Sequence, residues 1–278
     1  MLLLVLLVLS TVGVLQLALA QDAQVNYPAY SVVASADGIT LPEGLTAGYT
    51  TLNFQNDTEI PFSPIFARFK EGKTMPDFMT AMQAGGPGPV VEVVDVLGSP
   101  TVNPGETLSA TYDLTAGEYI VLSFSADGPP NILPLVVGEA AADAITTEPE
   151  ADVNLVMVDF AFALPGEIAA GEQTWKLDNI GDQVHQIEIY SVPEDATLAG
   201  MITEFTEVIQ NMEPNSGRPD FGHELVYSWA AIGPDVAAWA TLDLPPGQYF
   251  IACFVPESDA AEMVTHFAHG MVRLVTVR

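Results

Sequence analysis

LPEGLTAGYTTLNFQND, Leu41 to Asp57, returns 123 residues later as LPGEIAAGEQTWKLDNI, Leu164 to Ile180. Leu41 and Leu164, Pro42 and Pro165, Ala47 and Ala170, Gly48 and Gly171, Thr51 and Thr174, and Asn56 and Asn179 coincide without a gap. The register runs on through Glu71 and Glu194, Thr74 and Thr197, and Thr80 and Thr203. A second block repeats at a shift of 130, NPGETLSATYDLTAGEYIVLSF over GPDVAAWATLDLPPGQYFIACF. There Pro104 and Pro234, Thr111 and Thr241, Asp113 and Asp243, Leu114 and Leu244, Gly117 and Gly247, Tyr119 and Tyr249, and Phe124 and Phe254 agree. Matches kept in order over so many turn and core positions make the chain a tandem duplication.

Within each copy the pattern is that of strands. TTLNF and TWKLDN alternate apolar and polar residues, as a half-buried strand does, and LSATYDL and AWATLDL follow suit. AGEYIVLSF and PPGQYFIACF begin from glycine turns. One helix per copy is expected, in TMPDFMTAMQ and TLAGMITEFTEVIQ. Short strands at regular spacing with Gly and Pro turns predict an all-β chain of two Greek-key β-sandwich domains in tandem, each with a short helical insertion. The expected limits are 25–138 and 154–278, joined by an acidic linker over 139–153.

Ahead of these lies MLLLVLLVLSTVGVLQLALA, residues 1–20, apolar and uncharged. Ala18-Leu19-Ala20 fits the small-residue cleavage pattern of a secretory signal peptide, although no Lys or Arg precedes the apolar core. An uncleaved N-terminal anchor is the competing reading. Cleavage would leave a mature chain without a membrane span, in a secreted or periplasmic location. Seven basic against 36 acidic residues give a net charge of −29, which excludes nucleic acid as a partner and disfavours anionic lipid. A single cysteine, Cys253, precludes an internal disulfide. No G-x-S-x-G, H-E-x-x-H or phosphate-cradling glycine loop is present, and the expectation drawn from that is an electron carrier or binding protein rather than an enzyme.

The second copy resembles the cupredoxins, the plastocyanin and azurin family. LPGEIAAGEQTWKLDNIGDQVHQIEI resembles the family's run of Pro, Ala-Gly turn, strand, Asn and histidine; LPPGQYFIACF resembles the strand that ends in the ligand cysteine; HFAHGMVRLVTV resembles the closing His, Gly-Met and last strand. The resemblance implies one mononuclear type 1 copper in the C-terminal copy, with His185, Cys253, His266 and Met271 as ligands and His269 as the alternative to His266. Thiolate, imidazole and thioether are the donors such a site uses. It implies outer-sphere electron transfer with a redox partner protein that the sequence does not identify. One departure stands out: twelve residues separate Cys253 from His266, where the family's loops hold only a few.

Copy one is a control. Phe62 occupies the position of His185 and Ser123 that of Cys253, so the copy has the fold without the ligands. Cys253 alone also reads as a small buried side chain, which keeps a metal-free binding or scaffolding module at the cell surface as the alternative, and copper sequestration or delivery as a third. His223 reads as structural, and Met75, Met79 and Met82, at helical spacing, as core.

Overall fold

A computed structural model describes residues 25–124, 130–212, 219–257 and 264–278. The leader, 1–20, lies outside the described residues, as does 258–263 in the middle of the Cys253–His266 insert. Among the described residues no helix is long and apolar enough to cross a membrane.

Copy one runs β1 (Ala29–Ser35), β2 (Gly38–Thr40), β3 (Gly48–Asn56), β4 (Ile65–Phe69), α1 (Met75–Ala84), α2 (Gly88–Val91), β5 (Val94–Val96), β6 (Thr107–Leu114), β7 (Gly117–Ser123) and β8 (Asn131–Val137). Copy two runs β9 (Val153–Val158), β10 (Ala161–Ala163), β11 (Glu167–Ile168), β12 (Gly171–Asn179), β13 (His185–Val192), α3 (Leu198–Gln210), β14 (Glu224–Ile232), β15 (Val236–Leu244), β16 (Gly247–Ala252) and β17 (Val272–Val277). The repeat is therefore written in the elements: β3 and β12 begin and end on aligned residues. In both, the period of two sends alternate side chains inward, Leu52, Phe54 and Asn56 in one and Trp175, Leu177 and Asn179 in the other. The aligned threonines Thr74 and Thr197 are the N-caps of α1 and α3. Thr74 forms a capping box with Asp77, and Thr197 Oγ1 accepts from the Gly200 amide at 3.1 Å.

The strands form three sheets. A four-stranded sheet, β5-β4-β7-β8, belongs to copy one, and a five-stranded sheet, β11-β17-β16-β13-β14, to copy two. The third has eight strands in the order β10-β9-β12-β15-β6-β3-β1-β2 and serves both copies. Its halves meet where β15 pairs antiparallel with β6, Ala238 to Tyr112, Trp239 to Thr111 and Ala240 to Ala110. Each copy is thus two sheets face to face over a shared core, the all-β double sandwich expected.

Pattern reading could not foresee how far the copies merge. Besides the β6–β15 seam, the segment after β5 runs along β14. Gly233 N donates to Val96 O at 2.7 Å, Ala230 N to Ser99 O at 2.8 Å, and Thr101 N to Ser228 O at 2.8 Å. Buried Trp229 lies 5.9 Å from the Tyr112 ring, and Tyr112 donates its hydroxyl proton to Gly98 O at 3.1 Å. The acidic connection is tied down too, since Ile145 O accepts from the Tyr49 amide at 3.1 Å and Glu148 pairs with Lys176 at 2.8 Å.

Gly98 holds this seam. Its φ is +66°, and a Cβ there would run into Ala231 O and meet the Trp229 indole nitrogen at 2.7 Å. Gly98→Ala is expected to cost several kcal/mol, roughly 3, from left-handed strain plus overpacking, and to lower the melting midpoint by about 5–10 °C. Calorimetry against Gly105→Ala is the check: that glycine also has positive φ, but a Cβ there would meet nothing within 4 Å.

Candidate metal centre

Three strand ends of copy two deliver the site. His185 is the first residue of β13, entered from a short loop that Asn179 pins. Asn179 Nδ2 donates to Gln183 O at 2.8 Å and Ile232 O at 3.0 Å, and its Oδ1 accepts from the Gly181 amide at 3.0 Å. Cys253 follows β16 directly, and its amide donates to Met271 O at 3.2 Å. His266 opens a 3₁₀ turn, His266–His269, that leads into β17.

The insert between Cys253 and His266 is closed at its base. Pro256 and Thr265 form an antiparallel bridge, and Glu257 N donates to Val264 O at 2.9 Å. His266 N then reaches Val255 O at 2.9 Å, and Met271 N reaches His266 O at 3.0 Å. The extra residues leave and return at one point, so His266 stands next to Cys253 despite the twelve between them.

His185, Cys253 and His266 bring one donor atom each to within 4.8 Å of one another. Their Nδ1 atoms, His185 to His266, are 3.0 Å apart, and Cys253 Sγ lies 3.5 Å from His266 Nδ1. All three side chains are fully buried, and so is Met271, which packs in the same core as Cys253. His269 is elsewhere: its Nε2 pairs with Glu257 at 2.6 Å, and its ring lies 4.6 Å from that of Phe160. His223 bonds Glu204 at 3.1 Å and stacks on Phe205, away from the cluster. In α1, Met75 and Met82 pack on the first copy's helix–sheet core while Met79 is exposed.

Electrostatics keep the donors uncharged. Burial pushes the Cys253 thiol up to about 12, although the amides of Gln186 and Val255 donate to its sulfur. Burial, then the neighbouring His185, brings His266 down to about 4. His185 is lowered as well, burial outweighing the Asp159 carboxylate. Two neutral imidazoles and a thiol whose sulfur takes two backbone N–H groups make a donor set for a soft or borderline cation.

The outer ring nitrogens sharpen the fit. His185 Nε2 lies 3.3 Å from Asp159 Oδ1, and His266 Nε2 lies 3.2 Å from Gln183 Oε1. The Asp159 carboxylate accepts, so the His185 ring carries its proton on Nε2 and turns a bare Nδ1 lone pair inward. That Nδ1 and the Nδ1 of His266 face each other at 3.0 Å, close enough to share one proton or to hold one cation between them. The residues present therefore fit copper, with His185, Cys253 and His266 as the groups that would hold it and Met271 beside them.

Phe160 packs beside the two histidines of the 3₁₀ turn. Among the described residues it is one of two non-glycine residues with positive φ, at 64°, and its ring sits edge-on to His266 at 5.1 Å. Asp159, Gln183 and Phe160 were not among the residues singled out from the sequence. A signal was there: aligned copy one has Ala36, Ile60 and Asp37 at their positions.

The two face-to-face β-sandwiches, with a buried His–Cys–His cluster at the strand ends of copy two, have a cupredoxin-like fold. No family model and no curated protein matches the chain. Solved structures similar to it include a dithionite-reduced auracyanin from the photosynthetic bacterium Roseiflexus castenholzii, at 26% identity over 45% of this chain and 94% of that one, TM-score 0.30. A blue copper oxidase from Nitrosomonas europaea is 12% identical over 91% of this chain and 86% of that one, TM-score 0.25. A copper nitrite reductase from Nitrosomonas europaea is 13% identical over 91% and 94%, TM-score 0.23. The similar structures thus include enzymes, which corrects the expectation of a non-enzyme. The missing motifs speak to hydrolytic and phosphoryl chemistry, and leave the role of a copper protein open between carrier and catalyst.

Proposed function

We propose that copy two binds one copper ion through His185, Cys253, His266 and Met271 and passes single electrons, as an exported protein, to or from a redox partner protein. The single observation that carries the reading is the convergence of two inward-facing Nδ1 atoms and one sulfur in a fully buried pocket. A copper ion so bound supplies one-electron redox chemistry with little ligand rearrangement. The chain's own residues do the rest. Backbone amides of Gln186 and Val255 hold the sulfur, the Nε2 partners hold the rings, and Phe160 packs edge-on against His266. The apolar stretch before Gln21 supports export, and the surplus of acids supports a partner with a basic face.

Purified chain equilibrated with Cu(II) and dialysed is expected to retain one copper and to turn intensely blue. A colourless protein without copper would overturn the reading in favour of a metal-free binding module.

A further inference from the structure

The duplication separates what the fold needs from what the site needs. Asn179 and its counterpart Asn56 are both fully buried and make the same bonds. Asn56 Nδ2 donates to Ile60 O and Val102 O, both at 2.8 Å, as Asn179 Nδ2 does to Gln183 O and Ile232 O. Conserved between a copy with ligands and a copy without, this asparagine belongs to the sandwich.

A second set behaves differently. Where copy two has Asp159, Gly181, Gln183 and His185, aligned copy one has Ala36, Thr58, Ile60 and Phe62. All four differ together, and in copy two all four are in contact. Asp159 sits in the turn between β9 and β10, and its Oδ1 takes the amides of Asp182 at 3.1 Å and Gln183 at 3.2 Å as well as His185 Nε2 at 3.3 Å. Gly181 makes that approach feasible: a Cβ there would run into the same carboxylate oxygen and stand 3.1 Å from His185 Nε2. The glycine has no positive φ to explain it, so close approach of the carboxylate is its reason. Gln183, whose amide that carboxylate holds, presents Oε1 to His266 Nε2.

We infer that Asp159 is the positioning residue of the site: it fixes the His185 ring directly and the His266 ring through Gln183, so that both Nδ1 atoms face inward before any metal arrives. The inference rests on the copper reading only for what the pre-set rings are for; the pre-setting is a property of the metal-free chain. One side chain does both jobs because it lies at the crossing of the β9–β10 turn and the loop before β13, two elements far apart in sequence. Its charge sits on the outer face of the His185 ring, where it also raises the electron density that Nδ1 offers to a cation.

The test uses the full chain and two independent readouts. Two-bond ¹H–¹⁵N correlation on the metal-free protein at pH 7.5 is expected to show His185 as a single Nε2–H tautomer. Asp159→Leu, which keeps bulk and removes the acceptor, should leave His185 as a mixture of tautomers with broadened ring signals. Asp159→Asn, which keeps an acceptor oxygen, should restore the single tautomer. Gly181→Ala, which displaces the carboxylate without touching it chemically, should resemble Asp159→Leu. Cobalt(II) or copper(I) affinity should fall 10–100-fold in Asp159→Leu, the range for partners of ligating histidines. A purely structural Asp159 would lower the denaturation midpoint and leave the tautomers alone. Unchanged His185 ring signals in Asp159→Leu overturn the inference. A wild-type chain with the expected tautomer but no affinity for copper would overturn the proposed function and leave the positioning intact.

Discussion

Cys253→Ser is expected to remove all of the blue colour from copper-treated protein while leaving a folded chain. The colour of a copper–thiolate centre comes from charge transfer between sulfur and metal, and this chain holds one sulfur of that kind. The substitution is nearly isosteric, and the hydroxyl oxygen inherits the amide donors of Gln186, now at 3.3 Å from sulfur, and Val255. One buried polar swap should cost about 1–2 kcal/mol, lowering the midpoint by only a few degrees. Visible spectra and bound copper after dialysis, read beside thermal melts, separate loss of the site from loss of the fold. Retention of the colour in Cys253→Ser would mean that the absorbing centre lies elsewhere in the chain.

The fold was legible because a duplication repeats its own evidence. A single strand pattern such as TTLNF is weak, but its return at a constant shift with the same turn glycines excludes accident, and β3 and β12 indeed coincide residue for residue. The helix starts were legible for the same reason, both falling on aligned threonines. The contacts that fuse the copies left no such trace. Pairing of β6 with β15 depends on which strand edges meet, and Ala110, Thr111, Ala238 and Trp239 look like any sheet residues. Gly98 marks the seam only once Ala231 and Trp229 are seen against it.

The cluster was legible by type and not by geometry. The resemblance to cupredoxins named His185, Cys253 and His266, but the long insert left open whether His266 returns. The answer is the bridge between Pro256 and Thr265, two residues with no distinctive chemistry. Choosing between His266 and His269 also needed the structure: the 3₁₀ turn points one ring into the core and the other to Glu257. The residues behind the ligands were hidden because Asp159 precedes His185 by 26 positions and meets it only through folding.

A paired removal of the two asparagines puts the division between scaffold and site to its most demanding test. Asn179→Ala removes one hydrogen bond each from Gln183 O, Ile232 O and the Gly181 amide, and Asn56→Ala removes one each from Ile60 O, Val102 O and the Thr58 amide, although Thr58 Oγ1 still donates to Ile60 O and the Phe62 amide to Val102 O. Each lost hydrogen bond costs about 1 kcal/mol, so either change should destabilise by roughly 3 kcal/mol and lower the midpoint by roughly 5–10 °C. The two melts should therefore move alike, since the bonds are alike. Copper should tell them apart. The loop that Asn179 pins carries Gly181 and Gln183 and opens onto His185, whereas the loop that Asn56 pins leads to Phe62. Asn179→Ala should then weaken copper binding by at least tenfold, and Asn56→Ala should leave it within about twofold. Equal loss of copper in both would mean that the seam between the copies carries strain from one sandwich to the other. Copy one would then be part of the metal site's support, and its missing ligands no guide to what the site requires.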